Sequence, residues 1–131
     1  MTQRTPAEIS LRVPGERAYA LVIRTALGGV AILMDLGVDA LDDLRTAADE
    51  ACDCLLHQGR PVSSVVVSVR DGGEKLTVSL EAEFSGEKVD DCTDMTAISQ
   101  AVLETLVPQV ELTSTPCGCI QRIDLTLPKA V

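Results

Sequence analysis

A chain of 131 residues and 13.9 kDa has material for one domain's core and no second. Its 46% apolar share supports a buried interior, while 11 Lys and Arg against 20 Asp and Glu leave a formal charge of -9, a field that repels phosphate and argues against direct nucleic-acid binding. One Tyr, one Phe and no Trp also remove the stacking platform that single-strand binders use.

No run approaches the ~20 apolar residues of a membrane span, and the opening Met1-Thr2-Gln3-Arg4-Thr5-Pro6 lacks a signal peptide's apolar stretch. The expectation is a single domain over residues 1–131 in the cytoplasm, with no membrane contact. Five cysteines, an odd number, then read as reduced thiols and not as a disulfide framework.

Ile9-Ser10-Leu11-Arg12-Val13 alternates apolar and polar before Pro14-Gly15, the pattern of a short edge strand and a turn. A helix is predicted from Glu16 to about Leu36, with Tyr19, Ile23, Ala26, Leu27, Val30 and Met34 on its core stripe. Its opposite side carries Leu21, Thr25, Gly28 and Ile32. A helix apolar on two faces needs two neighbours, either from its own chain or across a subunit interface, and Gly28-Gly29 would admit a close backbone.

Gly37 ends that helix and Asp39 starts the next as an N-cap, with Asp42 and Asp43 in the first turn. Leu41, Leu44, Ala48, Ala51, Cys52 and Leu55 form its buried stripe. Glu50 and Cys54, about 40° apart on a helical wheel, share the far side with Asp43 and His57.

After the break at Gln58-Gly59-Arg60-Pro61, the runs Ser64–Val69 and Leu76–Leu80 form a hairpin around Asp71-Gly72-Gly73. Residues 85–94 carry four acids against one Lys and read as a solvated connector. Thr96 to Leu106 is a third helix stopped by Pro108, and two last strands, Val110–Thr113 and Ile120–Leu125, flank Pro116-Cys117-Gly118. The order βααββαββ predicts an α+β fold, a two-layer α/β sandwich with helices on one face of a mixed, mostly antiparallel sheet.

Chemistry is sparse. Glu50, beside Asp49 and Asp53, is a general base if a hydroxyl substrate docks over it and a solvated acid otherwise. Cys52 and Cys54 project ~200° apart on a helix and cannot chelate one ion. Cys117 and Cys119 sit in a turn that could aim both sulfurs at one zinc, although the spacing is short and His57 is the sole histidine. The same pair, or an exposed Cys54, could instead answer to oxidation, with nearby carboxylates raising a thiol's pKa and blunting it. Neither G-x-x-x-x-G-K-S/T nor G-x-G-x-x-G occurs.

Three stretches stand in a recognisable order: Val13-Pro14, Ile23-Arg24-Thr25-Ala26-Leu27-Gly28-Gly29-Val30-Ala31, and Asp43-Leu44-Arg45-Thr46-Ala47-Ala48-Asp49-Glu50-Ala51-Cys52. They resemble the N-terminal half of the bacterial anti-sigma-factor serine kinases, a branch of the Bergerat-fold (GHKL) ATPases. The resemblance places Glu50 at the family's proposed base toward a serine hydroxyl. It places Cys54 where the family has an Asn that holds magnesium on ATP, and a thiol is a soft ligand for that hard cation. Ala82, within Leu80-Glu81-Ala82-Glu83-Phe84, falls in the Asp-x-Gly box that reads adenine, with Glu81 or Glu83 as register-shifted substitutes and Phe84 in ligand space. Ala97-Ile98-Ser99 falls at the Gly-x-Gly box that brings helix amides to phosphate, so Ala97 and Ser99 replace its glycines. Gly118-Cys119 resembles a Gly-Thr of the last strand.

What the resemblance implies is a regulatory protein that kept the fold and lost much of the ATP machinery. It would bind a sigma factor or an anti-anti-sigma-like protein in a partner-switching circuit, as a homodimer and with no cofactor. The alternative is an active serine kinase that uses Mg-ATP and Glu50 to phosphorylate an antagonist. Arg24 matches an arginine of the family's partner-binding surface, or else merely flanks the core stripe.

Overall fold

Alternation along the strands decides the architecture, because it gives the sheet one apolar face and one polar face. The computed structural model describes residues 8–87 and 95–129. In chain order the elements are β1 (Glu8–Pro14), a 3₁₀ turn (Arg17–Tyr19), α1 (Ala20–Leu33), α2 (Val38–Leu56), β2 (Val62–Asp71), β3 (Lys75–Phe84), α3 (Met95–Leu106), β4 (Gln109–Ser114) and β5 (Ile120–Pro128). This is the expected βααββαββ order. The connector expected over 85–94 lies, beyond Glu87, outside the described residues.

The five strands form one sheet in the order β1-β2-β3-β5-β4. Every pairing is antiparallel, so the sheet expected to be mixed and mostly antiparallel is antiparallel throughout: two hairpins supply most of the ladder, and β5 returns against β3 after α3 and β4. Register carries Leu11, Val67, Leu80, Ile123 and Leu112 across one row, and Ser10, Ser68, Ser79, Asp124 and Glu111 across the neighbouring row on the opposite face. The first row meets Ile23 and Leu27 of α1, Leu44, Ala51 and Leu55 of α2 and Leu103 of α3 in a single core. The second row is polar, and there the Ser79 hydroxyl donates to Asp124 while Arg122 donates to both.

Two helix ends differ from the sequence reading. The first helix stops at Leu33 and not near Leu36, because Asp35 adopts a left-handed φ of 61°. Leu36 N–H then donates to Ala31 O at 2.9 Å and Asp35 N–H to Ile32 O at 3.3 Å, the two bonds of a Schellman stop with aspartate where glycine is usual. Gly37, not Asp39, is the N-cap of α2, and Asp39 lies in the first turn, where its charge still favours the helix dipole. On α1 the buried positions are Ile23, Leu27 and Ala31, with Met34 just beyond. Ala26 and Val30 are half-buried and Tyr19 is exposed, so the core stripe is rotated from the expected one.

Candidate functional site

The second helix is the centre of the helical layer, packed against α1, α3 and the sheet. Small side chains make that possible, since Ala47, Ala48, Ala51, Cys52 and Cys54 are all buried and let neighbouring helices close in. This corrects the expected open far side: exposure runs along Asp39, Asp42, Asp43 and Thr46 in the first half only, and Cys54 lies inside. Glu50 is half-buried, one helical turn before Cys54 and about 100° round the helix from Asp49.

Asp49 and Asp53 face α1 and the turn before it. Arg24 Nε lies 3.3 Å from Asp49 Oδ2, and Arg17 Nη1 donates to Asp53 Oδ1 at 2.6 Å. A hollow of about 240 Å³ opens between these pairs, lined by Arg17, Ala20, Leu21, Arg24, Asp49 and Asp53. Burial raises the Asp49 carboxyl above its ordinary pKa, with Arg24 pulling the other way. Burial, reinforced by Asp49 and Asp53, pushes the Cys52 thiol up to about 12. That thiol is a packing group. Arg24 therefore has a partner within the chain while its side chain stays 41% exposed at the edge of the hollow.

The positions matched to nucleotide boxes lie on α2, β3 and α3. Ala82 is buried on the helix-facing side of β3. Glu81 and Glu83 alternate to the outer face, where Glu83 pairs with Arg12 at 3.2 Å, so the pleat denies either of them the place of the box aspartate. Phe84 is half-buried under the Arg60 guanidinium, 4.2 Å above its ring. Ala97 and Ser99 are helical residues of α3, the first exposed and the second buried. A magnesium nucleotide wants oxygen ligands and an adenine-reading carboxylate; Cys54 and Ala82 offer a thiol and a methyl group, and this donor set does not fit it. Among the described residues no group of three or more His, Cys, Asp and Glu is placed to hold a metal ion. His57 is exposed, with Nδ1 2.9 Å from Asp53 O at the end of α2.

Two features escaped the sequence reading. Gln58, taken there as part of a helix break, is buried and clamps β5: its side chain donates to Ile120 O at 2.7 Å and accepts from Ile120 N–H. No local signal marks a contact of that separation. The other is that the apolar second face read on α1 from Leu21 and Ile32 extends to Val22, Leu33 and Val38. Leu21 and Ile32 are each 67% exposed and Leu33 80%, and Val38 adds 76% at the start of α2. Between them Gly28 and Gly29 have nothing within 4 Å of where a Cβ would stand.

Known proteins are similar to this chain in sequence or in fold. Serine-protein kinase RsbW of Bacillus velezensis and of Bacillus subtilis each match at 35% identity over 65 residues, 49% of this chain and 41% of theirs. Anti-sigma-F factor RsbW of Mycobacterium tuberculosis matches at 29% over 80 residues, 61% of this chain and 48% of its own. The crystal structure of the RsbU and RsbW domains of Rv1364c from Mycobacterium tuberculosis shares the fold, with a TM-score of 0.70 at 14% identity over 95% of this chain and 33% of that one. Over part of its length the chain is similar in sequence to RsbW proteins. No family model matches it, and the matched segments span under half the length of the curated relatives. Among the described residues, no helix is long and apolar enough to cross a membrane.

Proposed function

We propose that this RsbW-like chain is a regulatory protein that binds a sigma factor or an anti-anti-sigma-like antagonist through the outer face of α1, without using nucleotide. The observation that carries the reading is that the outer face of α1 exposes two apolar pairs, Leu21 and Val22 near its start and Ile32 and Leu33 at its end, surface that an interface would cover. Gly28 and Gly29 leave the helix backbone open between them, and the Arg17–Asp53 and Arg24–Asp49 pairs supply a charged rim. An apolar centre with a polar margin is the anatomy of a protein interface. The thiol at Cys54, the methyl at Ala82 and the missing glycines at Ala97 and Ser99 support action without ATP. The names of the relatives, a serine-protein kinase and an anti-sigma-F factor, support the kind of partner.

Titration calorimetry with Mg-ATP and Mg-ADP tests the nucleotide half, and no heat of binding is the expected result. Micromolar affinity would favour the kinase reading instead, which Glu50 supports by standing at the family's base position on α2; phosphorylation of an antagonist, abolished in Glu50→Gln, would then establish it. The partner half is tested by mixing the chain with the sigma factors and antagonists of its own organism. A complex lost in a Leu21→Asp, Ile32→Asp variant is expected. Sedimentation of the chain alone shows whether a second copy occupies the same face as a homodimer.

A further inference from the structure

The β4–β5 turn holds a pair of thiols for which partner binding has no use. Thr115 N–H donates to Cys119 O at 2.8 Å and Gly118 N–H to Thr115 O at 3.0 Å, with Gly118 at a φ of 88°. In this turn Cys117 is exposed, Cys119 is buried, and the two side chains hydrogen-bond. Thr115 Oγ1 lies 3.0 Å from Cys117 Sγ, and Arg60 Nη1 donates to the same sulfur at 3.6 Å. Arg60 is held in turn by Gly86 O at 2.7 Å and by the Phe84 ring. Beyond the turn, the Gln58 clamp fixes Ile120 and so fixes the residue before it. A solvent-facing sulfur, a cation, a hydroxyl and a second sulfur thus converge, the surroundings in which reactive cysteines are found.

We propose that Cys117 is a peroxide-oxidation site and that Cys119 resolves the product to an intramolecular disulfide. The Cys117 thiolate attacks one peroxide oxygen, the O–O bond breaks, and the sulfur becomes a sulfenic acid as hydroxide leaves. The Cys119 thiol then attacks that sulfur and gives up its proton. The S–O bond breaks, water departs, and the S–S bond closes, so the two thiols lose two electrons to the peroxide. Thr115, the Cys119 backbone and side chain, and Arg60 hold the Cys117 thiol down to about 7, from an ordinary 9.0. At pH 7 that raises the thiolate fraction from about 1% to about half, and the accompanying loss of nucleophilicity, roughly eightfold for a Brønsted slope near 0.45, leaves a net gain of about sixfold. The sequence expectation that nearby carboxylates raise the pKa of these thiols does not hold for Cys117, which is lowered.

The test uses the full chain at pH 7 with stoichiometric hydrogen peroxide, quenched with N-ethylmaleimide and followed by peptide mass spectrometry. The expected product joins Cys117 to Cys119 with Cys52 still a thiol, and Cys117 should react several-fold faster than an unstructured cysteine peptide. Cys119→Ser should leave a sulfenic acid on Cys117 that dimedone captures, and Thr115→Val should slow its formation. Cys117→Ser, at an exposed turn position, should abolish the reaction with an unchanged circular dichroism spectrum. Oxidation of Cys117 no faster than the free peptide would overturn the proposal. So would a wild-type product in which Cys119 remains a thiol, or in which Cys117 pairs with Cys92 or with another chain.

Discussion

Replacing Gly28 and Gly29 together by alanine sets folding and docking against each other. Both sit inside α1 with no positive φ and with open space at the Cβ position, so each methyl removes helix-interior glycine's penalty of about 0.8–1 kcal/mol. The double variant should gain about 1.5–2 kcal/mol. At roughly 2.1 cal/mol/K of unfolding entropy per residue, a chain of this length should then melt about 5–7 °C higher. The same methyls stand on the outer face between Leu21 and Ile32 and hold an incoming backbone away, so partner affinity should fall about tenfold, which is about 1.4 kcal/mol. Thermal melts and partner titrations on one preparation read both effects. A melt that does not rise would show that the outer face is not open in the isolated chain. Undiminished partner affinity in a stabilised variant would refute docking through α1.

Other substitutions probe the fold that presents this face. In Gly15→Ala the new Cβ would stand 2.2 Å from Val62 O and 2.7 Å from Val62 C, backbone that cannot swing aside; a loss of about 3 kcal/mol is expected, read as a lower urea midpoint at unchanged slope. Gln58→Leu would remove the side-chain bonds to both the N–H and the C=O of Ile120, and at about 1–3 kcal/mol per lost partner the loss should be about 2–6 kcal/mol in the same assay. Lys129 Nζ meets both oxygens of Asp71 at 2.8 and 2.9 Å and holds that carboxyl below its ordinary 3.8. The stability this gives is fully present above the ordinary pKa and is lost as pH falls through the lower folded value. Urea midpoints of Asp71→Asn should therefore decline less between pH 5 and pH 2 than those of the wild type.

Strands were legible because their signals are local. Val65, Val67 and Val69 recur at every second position in a β-branched run, and Asp71-Gly72-Gly73 marks the turn between β2 and β3. The helix ends were less so, since the chain places an aspartate in the left-handed position and leaves Gly37 to cap the next helix. Periodicity finds an apolar stripe, but it cannot find burial produced by a third neighbour; that is why Ala47 and Cys54, small and ambiguous, went unread as interior. Gln58 and Arg60 were hidden for a related reason. A polar residue in a loop acquires its role from whatever the fold brings to it, here Ile120 in one case and Cys117, Phe84 and Gly86 in the other.

Cys54 is where packing and chemistry compete most directly. Its position is buried in the centre of the helical layer, where a thiol behaves as a small apolar group. Cys54→Asn restores the residue type that the family resemblance expects, yet it adds an amide to a site shaped for sulfur. Without new partners that amide should cost about 1–3 kcal/mol, or about 4–11 °C by the entropy scale used above. Were the thiol the one obstacle to nucleotide binding, Mg-ATP at a hundredfold excess over its Kd would return about 2.7 kcal/mol to the variant and lift its melt again. With Ala82 offering no carboxylate and Glu83 committed to Arg12 on the outer face, the expected result is a lowered melt that Mg-ATP leaves unmoved. A ligand-dependent recovery in Cys54→Asn would mean that one side chain stands between this chain and nucleotide binding, and the argument from Ala82 and Glu83 for action without ATP would fall.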